Sequence, residues 1–129
     1  MSTSAEHSEP SDHTEPSVHT RVRYAARGHY DVETIHSILD EAMFAHVGLI
    51  DRDRPVVIPM LHVRIDDSLI LHGSPATRFF RLLKTGPTVC VTATLFDGLV
   101  LARSAFHHSL NYRSAVVFGQ PVPITDLDQ

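Results

Sequence analysis

The sequence predicts a mainly antiparallel β protein with about six strands and two short helices, which closes into a small barrel. Apolar segments rich in Val, Ile and Leu recur along the chain, and short turns rather than long helical crossovers separate most of them. The 129 residues are 43% apolar and 20% charged, which is typical of a single globular domain.

Two segments have the spacing of helices. Asp31 can serve as the N-cap of a helix over residues 32–44, in which apolar side chains recur every three or four positions. Ser74 and Pro75 predict the N-cap and the first position of a second helix, and Gly86-Pro87 ends it.

Six segments have the composition of strands: His46–Asp51, Pro55–Arg64, Leu69–Gly73, Thr88–Phe96, Leu99–Ser104 and Ala115–Gln120. Asp97-Gly98 predicts a hairpin turn between the fourth and the fifth of them. Pro59 lies inside the second segment, and because proline cannot donate a hydrogen bond to a ladder, it predicts a sheet edge or a bulge.

The two ends of the chain differ from its centre. Residues 1–20 are rich in Ser, Thr and acidic side chains and nearly lack apolar ones, so we expect a disordered tail there and a domain over residues 21–129. Thr125–Gln129 have the pattern of a helix cap and first turn. We therefore expect the domain to be incomplete at its C-terminus, with a frayed end as the alternative.

Several classes of function are excluded by composition. The formal net charge of -4 argues against non-specific nucleic-acid binding, which requires a basic surface. No segment approaches the ~20 apolar residues of a membrane helix, and the N-terminus lacks a signal-peptide pattern. With the single Cys90, we expect a protein of the reducing cytoplasm. The ten histidines lack the spacing of a structural zinc site, so no metal is expected.

The junction from His72 to Arg78 is the first candidate for a site. A glycine there allows close approach of a ligand, Ser74 and Thr77 carry hydroxyl groups, and Arg78 can bind an anion through two nitrogens. These features favour a phosphate cradle, and a well-capped helix with a surface arginine is the alternative. His72 is a proton donor or stacking partner in the first interpretation and a half-buried strand residue in the second.

Two further segments are candidates. A kink at Pro59 would free backbone groups to contact a flat heteroaromatic ligand, whereas a simple edge strand is the alternative. The polar segment 105–114 lies between two apolar strands, as functional loops often do. Its adjacent His107 and His108 would face opposite ways on a strand and are poorly placed to share one metal ion.

Three blocks of the sequence together resemble a known family: IPMLHVR at residues 58–64, LHGSPATR at residues 71–78 and FHHSLNYRSAVVFG at residues 106–119. In this order and spacing, the chain resembles the pyridoxamine 5′-phosphate oxidase-like flavoproteins over residues 21–126. Within them it is similar to the flavin-nucleotide-binding branch that is related to nitroimidazole reductases.

The resemblance implies an FMN-binding split barrel that forms a homodimer, with the flavins at the dimer interface. It implies that the backbone of residues 59–61 lines the flavin ring, that residues 72–74 flank the ribityl chain or the ring, and that Thr77 and Arg78 hold the phosphate. Residues 112–114 would contribute from the strand that neighbours the flavin, and His72 is the catalytic candidate. The cofactor-binding residues that it implies are Pro59, Met60, Leu61, His72, Gly73, Ser74, Thr77, Arg78, Tyr112, Arg113 and Ser114.

The resemblance to the vitamin B6 oxidases of this superfamily is partial. Those enzymes carry basic residues at the positions of Val57 and Phe79, and their substrate-binding C-terminal segment has no counterpart here. We therefore expect an FMN-dependent oxidoreductase that acts on another small molecule, such as a nitroaromatic compound. Two alternatives remain open: a haem-binding split barrel with an axial ligand from His107 or His108, and a non-catalytic ligand-binding module.

Overall fold

A computed structural model describes residues 2–6, 19, 27–103 and 108–124 of the chain. Within these residues the elements are β1 (Ser2–Glu6), α1 (Val32–Glu41), β2 (Phe44–Asp51), β3 (Arg54–Ile65), β4 (Ser68–His72), α2 (Arg78–Leu83), β5 (Val89–Val100) and β6 (Ser109–Ile124). All strand pairs are antiparallel, and the strands form a closed barrel in the order β1-β4-β3-β2-β5-β6. The prediction of a mainly antiparallel β architecture with short helices is confirmed.

The core lies inside the barrel and under the two helices. Alternate strand residues point inward, and Val47, Leu71 and Val91 are fully buried. Helix α1 contributes Ile38 and Leu39 to the same cluster, and α2 contributes Phe79, Phe80 and Leu83. Neither helix is long and apolar enough to cross a membrane, and the same holds for every helix in the part of the chain that the structure describes.

Helix α1 begins as predicted and is anchored at its last turn. The Asp31 carboxylate accepts a hydrogen bond from the Thr34 amide at 2.9 Å, which confirms the N-cap. The helix ends at Glu41 instead of residue 44, because the chain becomes extended at Ala42 and enters β2 at Phe44.

Three consecutive residues of that last turn bind other elements. The Leu39 carbonyl oxygen lies 2.8 Å from His62 Nε2 on β3, Asp40 pairs with Arg64 at 2.7 Å, and Glu41 pairs with Arg113 on β6 at 2.9 Å. The hydrogen bonds from Arg64 lower the pKa of Asp40. Two acidic side chains at a helix C-terminus oppose the helix dipole, and these arginines offset that effect.

Helix α2 begins three residues later than predicted. Ser74 forms a turn, in which its carbonyl oxygen accepts hydrogen bonds from the Thr77 amide at 3.2 Å and the Thr77 hydroxyl at 3.0 Å. Thr77 is extended, and its Oγ1 accepts from the Phe80 amide at 3.3 Å. The prediction of Ser74 as N-cap was therefore wrong, since a Ser-Pro turn precedes the true cap.

The predicted hairpin at Asp97-Gly98 was also wrong. Strand β5 continues through both residues to Val100, with a register shift between Phe96 and Gly98. Strand β6 pairs with it on both sides of this shift, and Arg113 binds the Asp97 carboxylate at 2.9 Å. The long cross-strand ladder overrides the local turn signal, so Leu99 and Val100 complete β5 instead of starting another strand.

The N-terminal segment contains a strand where we expected disorder. Ser2–Glu6 pairs with β4 on one side and with β6 on the other, and so closes the barrel. Backbone hydrogen bonds to two strand edges do not require apolar side chains, which is why composition gave no sign of it. Residues 7–18 and the predicted helix start at Thr125–Gln129 lie outside the described residues.

Candidate functional site

Strand β3 changes its partner along its length, and none of its residues is paired on both sides among the ladders that the structure describes. Strand β2 pairs with residues 54–61, whereas β4 pairs only with residues 62–65. The second edge of residues 54–61 therefore has no strand partner among the residues that the structure describes. Pro59 lies on this open edge, which confirms the prediction of an edge position.

The open edge belongs to a gap between β3 and the segment that follows β4. The β3–β4 ladder ends at the pair His62–Leu71, so Leu61 and His72 are the first residues beyond this ladder on the two strands. The chain then continues through the Ser74–Thr77 turn to Arg78, whose side chain reaches Asp51 at the end of β2. We call the space between β3 residues 54–61 and residues 72–78 the split.

The structure gives Gly73 a packing role that differs from the predicted one. A Cβ atom at this position would lie 2.1 Å from Cε2 and 2.5 Å from Cζ of the Phe80 ring. Phe80 is buried in the core beneath the turn. Close approach by a neighbouring aromatic ring thus accounts for the glycine without a ligand.

The two hydroxyl groups of the turn differ in their availability. Thr77 Oγ1 donates to the Ser74 carbonyl oxygen and accepts from the Phe80 amide, so it is engaged in both senses. Ser74 Oγ accepts a long hydrogen bond of 3.4 Å from the Ala76 amide and keeps its own proton available. Arg81 Nη2 donates to the Ala76 carbonyl oxygen at 2.9 Å and holds the turn from the other side.

Arg78 forms an ion pair that sequence reasoning missed. Its Nη2 donates to both carboxylate oxygens of Asp51 at 2.9 Å, and its Nε donates to Oδ2 at 3.1 Å. The Asp51 side chain is 17% exposed and the Arg78 side chain 59%. No local pattern could have found this contact, because the partners lie 27 positions apart and Asp51 has the appearance of an ordinary strand end.

The turn next to Asp51 has an unusual backbone. Arg52 and Asp53 have φ angles of 48° and 67°, so two consecutive non-glycine residues are left-handed. This is the conformation of a type I′ hairpin turn, which normally selects Asn and Gly. The end of β2 that carries Asp51 is thus joined to β3 by the tightest type of connection.

The remaining predicted residues of the split have contrasting exposure. Met60 is buried in the core and presents only its backbone to the edge, whereas the Leu61 side chain is largely exposed. His72 is exposed at the end of β4. Nearby His62 is buried, with Nε2 donating to the Leu39 carbonyl oxygen and Nδ1 without a partner among the described residues.

Tyr112, Arg113 and Ser114 lie away from the split within one chain. They belong to β6, and β2 and β5 separate that strand from β3, which corresponds to about 14 Å across the sheet. Arg113 binds both Asp97 and Glu41, and these hydrogen bonds raise its pKa and lower that of Asp97. Eight of the eleven predicted cofactor residues thus lie on the two segments that we take as the borders of the split, and these three lie on another strand.

The histidine loop is described only in part. His107 lies outside the described residues. His108 Nδ1 accepts a hydrogen bond from the Ala102 amide at 3.0 Å, so the neutral ring carries its proton on Nε2. A metal bound through that Nε2 would require this hydrogen bond to break.

A small cavity of about 50 Å³ lies elsewhere, between α1 and the strands. Val32, Leu39, Leu69 and Val117 line it, and the pair His36–Asp67 at 3.4 Å lies at its rim. None of the predicted cofactor residues contributes to this lining. The open edge of β3, not this cavity, is the candidate site.

Comparison with known proteins finds a family match. A family model described as pyridoxamine 5′-phosphate oxidase matches residues 31–129. No curated protein matches the chain.

Three solved structures are similar to the chain. The flavocytochrome Anf3 from Azotobacter vinelandii is 41% identical with a TM-score of 0.76, covering 86% of this chain and 52% of that one. An FAD and heme binding protein from Mycobacterium smegmatis is 38% identical with a TM-score of 0.66, covering 70% and 44%. A protein assigned to 5-nitroimidazole antibiotic resistance from Bacteroides thetaiotaomicron is 30% identical with a TM-score of 0.62, covering 76% and 58%. The chain thus spans about half the length of these proteins.

Proposed function

The chain belongs to the pyridoxamine 5′-phosphate oxidase-like family of flavin-binding split barrels, and from this premise we propose that it binds a flavin nucleotide in the split. One observation supports the proposal most directly. Residues 59–61, 72–74 and 77–78 are separate in sequence, yet all border the same gap in the barrel. FMN is the nucleotide that the family resemblance implies, and FAD is the alternative that one of the similar solved structures raises.

The proposed binding mode uses the two borders of the split differently. The open edge of β3 offers unpaired backbone groups to a flat, polar ring system. Arg78 and the Ser74 hydroxyl lie on the opposite border, where they can donate hydrogen bonds to the phosphate group. Thr77 acts mainly by holding the turn, since its hydroxyl is already engaged.

We assign a redox role to the bound flavin. A flavin accepts or donates a hydride, and the protein supplies orientation and electrostatics. His72 is the candidate for proton delivery, because its exposed imidazole lies where the split begins. The substrate is proposed to be a small electron acceptor, and the similarity to a nitroimidazole resistance protein makes nitroaromatic compounds the first to assay.

We further propose that the protein is a homodimer. The outer face of β3, β2, β5 and β6 carries large apolar side chains in continuous register, and Phe44, Val57, Leu61 and Val63 are each more than half exposed. Monomeric proteins rarely expose such a patch. Tyr112 and Ser114 share this face, so a second copy offers a route by which they approach a split.

Light scattering of the purified protein tests the dimer. We expect twice the mass of one 14.4 kDa chain, and Val63→Glu should shift the protein towards monomer by placing a charge on the apolar face. A wild-type protein that remains monomeric at high micromolar concentration contradicts this proposal.

The proposed setting is the cytoplasm, where a chain with one cysteine needs no disulfide.

The absorbance spectrum of the purified protein tests flavin binding. We expect flavin bands, and chromatography of the released cofactor distinguishes FMN from FAD. Reduction of the bound flavin followed by reoxidation with a nitroaromatic compound then tests the redox role. A colourless protein that takes up neither nucleotide refutes the proposal, and a bound flavin without turnover favours the non-catalytic module.

Haem binding is a second candidate, favoured by two of the similar structures, which are a flavocytochrome and an FAD and heme binding protein. Among the candidate axial ligands, His72 and His46 are exposed. His108 would have to give up its hydrogen bond from the Ala102 amide in order to bind the haem iron. Haem titration should produce a Soret band, and loss of that band in one of the alanine variants of His46, His72, His107 or His108 would identify an axial ligand. Titration without a Soret shift excludes this candidate.

A further inference from the structure

We propose that Asp51 is a positioning residue of the split, which holds Arg78 in the orientation that binds the phosphate of a flavin nucleotide. The inference rests on the proposed function. It deepens that function by assigning phosphate recognition to a pair of residues on different elements, β2 and the start of α2.

The hydrogen bonds to Asp51 use only one side of the Arg78 guanidinium group. Nε and Nη2 of Arg78 donate three hydrogen bonds to the Asp51 carboxylate. Nη1 has no acceptor among the residues that the structure describes. Since a guanidinium group carries five N–H donors in a rigid plane, fixing one side also fixes the direction of the other.

Asp51 is more buried than Arg78, as a residue that positions an accessible arginine has to be. The Asp51 side chain is mostly buried at 17% exposure, whereas Arg78 is 59% exposed. The backbone of Asp51 is held by the ladder of β2 with β3, in which Asp51 is the partner of Arg54. A fixed acceptor thus orients a donor that remains accessible to ligand.

The pair also lies beside the other groups of the proposed phosphate end. Arg78 directly follows Thr77, and Arg81 holds the same turn through the Ala76 carbonyl oxygen. Without Asp51, the long Arg78 side chain would sample many rotamers, and ordering them would reduce the affinity for phosphate.

A stabilising surface ion pair is the competing interpretation, and the chain contains a matched example. Asp40 and Arg64 join through the same atoms, Nε and Nη2, at 2.7 Å. That pair connects α1 to β3 and does not border the split. Its exposure is reversed, with Arg64 at 22% and Asp40 at 48%. A variant of Asp40 therefore reproduces the loss of an Asp–Arg pair without a buried carboxylate that orients an accessible arginine.

The test compares FMN with riboflavin, which lacks the phosphate. Dissociation constants are measured by flavin fluorescence for the wild type, Asp51→Ala, Arg78→Ala, the double variant and Asp40→Ala. We expect Asp51→Ala to weaken FMN binding about 10-fold, by analogy with the loss seen when the hydrogen-bonded partner of a metal ligand is removed. Riboflavin binding should be unchanged, and Asp51→Ala should add nothing in the Arg78→Ala background. Asp40→Ala should leave the FMN to riboflavin ratio at the wild-type value.

Each other outcome overturns the inference. If Asp51→Ala tightens FMN binding, Asp51 competes with phosphate for Arg78 instead of positioning it. If the ratio is unchanged while the wild type binds both flavins, the pair is only structural. If the wild type binds neither flavin, the proposed function fails and the inference fails with it. Asp51→Asn, which preserves the shape of the side chain, replaces the alanine variant if thermal melting shows that the latter does not fold.

Discussion

Replacement of Gly73 by alanine should destabilise the protein by a defined steric mechanism. The added Cβ would lie 2.1 Å, 2.5 Å and 3.0 Å from three carbons of the Phe80 ring. Carbon atoms pack at about 3.5–4.0 Å, so the ring or the turn would have to move by more than about 1 Å. Phe80 is only 3% exposed and packs in the core, which leaves little room for that shift.

The expected cost follows from other overpacked cores. Insertion of one carbon into a close-packed site typically costs about 1–3 kcal/mol. For a domain of this size, about 2 kcal/mol corresponds to a decrease in Tm of roughly 10 °C. Differential scanning calorimetry of wild type and Gly73→Ala would measure it directly.

Two variants make this measurement specific. Gly98→Ala serves as the control, because nothing lies within 4 Å of its added Cβ, and its Tm should change little. Phe80→Leu removes the clashing ring atoms, so the double variant with Gly73→Ala should be less destabilised than the sum of the single ones, by about 1 kcal/mol or more. A Tm for Gly73→Ala within about 2 °C of wild type would refute the steric explanation.

The turn and the ion pairs give further predictions. Asp53→Gly should stabilise the protein by about 1 kcal/mol, since Asp53 has a φ of 67° and glycine adopts this conformation without steric cost. Chemical denaturation measures this gain in the free energy of unfolding, and no gain would show that the turn is unstrained. Acid should weaken the fold, because the folded-state pKa values of Asp40 and Asp97 lie below the unfolded value of 3.8, so their stabilisation is present above that pH and is lost as pH falls below it. The Tm of Asp40→Asn should accordingly fall less steeply than that of wild type below about pH 4, and parallel curves would contradict the assignment. His62→Ala should cost about 2 kcal/mol by removing a buried ring and the hydrogen bond to Leu39, as urea titration would show.

The sequence predicted those features that depend on near neighbours. Asp31 caps α1 because the acceptor and the Thr34 amide are three residues apart, and Pro59 marks an edge because of its own missing N–H. Alternation of apolar residues likewise located most of the strands. The end of α1 and the start of α2 were misplaced by three residues each, since propensity does not specify where a turn competes with a helix.

The parts of the site that were missed depend on contacts between distant residues. The partner of Arg78 lies on a strand whose register with the rest of the sheet is set by the whole fold, so its sequence neighbourhood contains no signal. The packing of Phe80 against Gly73 requires the path of the turn to be known first. For the same reason, the Asp97-Gly98 dipeptide was misassigned: its turn propensity was visible locally, and the ladder with β6 that overrides it was not.

Strand β1 has a consequence for how the barrel forms. Its ladder with β6 pairs Ser2 with Ile124, so two segments from opposite ends of the described chain lie side by side. Contacts of such long sequence separation raise the contact order and slow folding, and during synthesis this ladder can form only after β6 has left the ribosome.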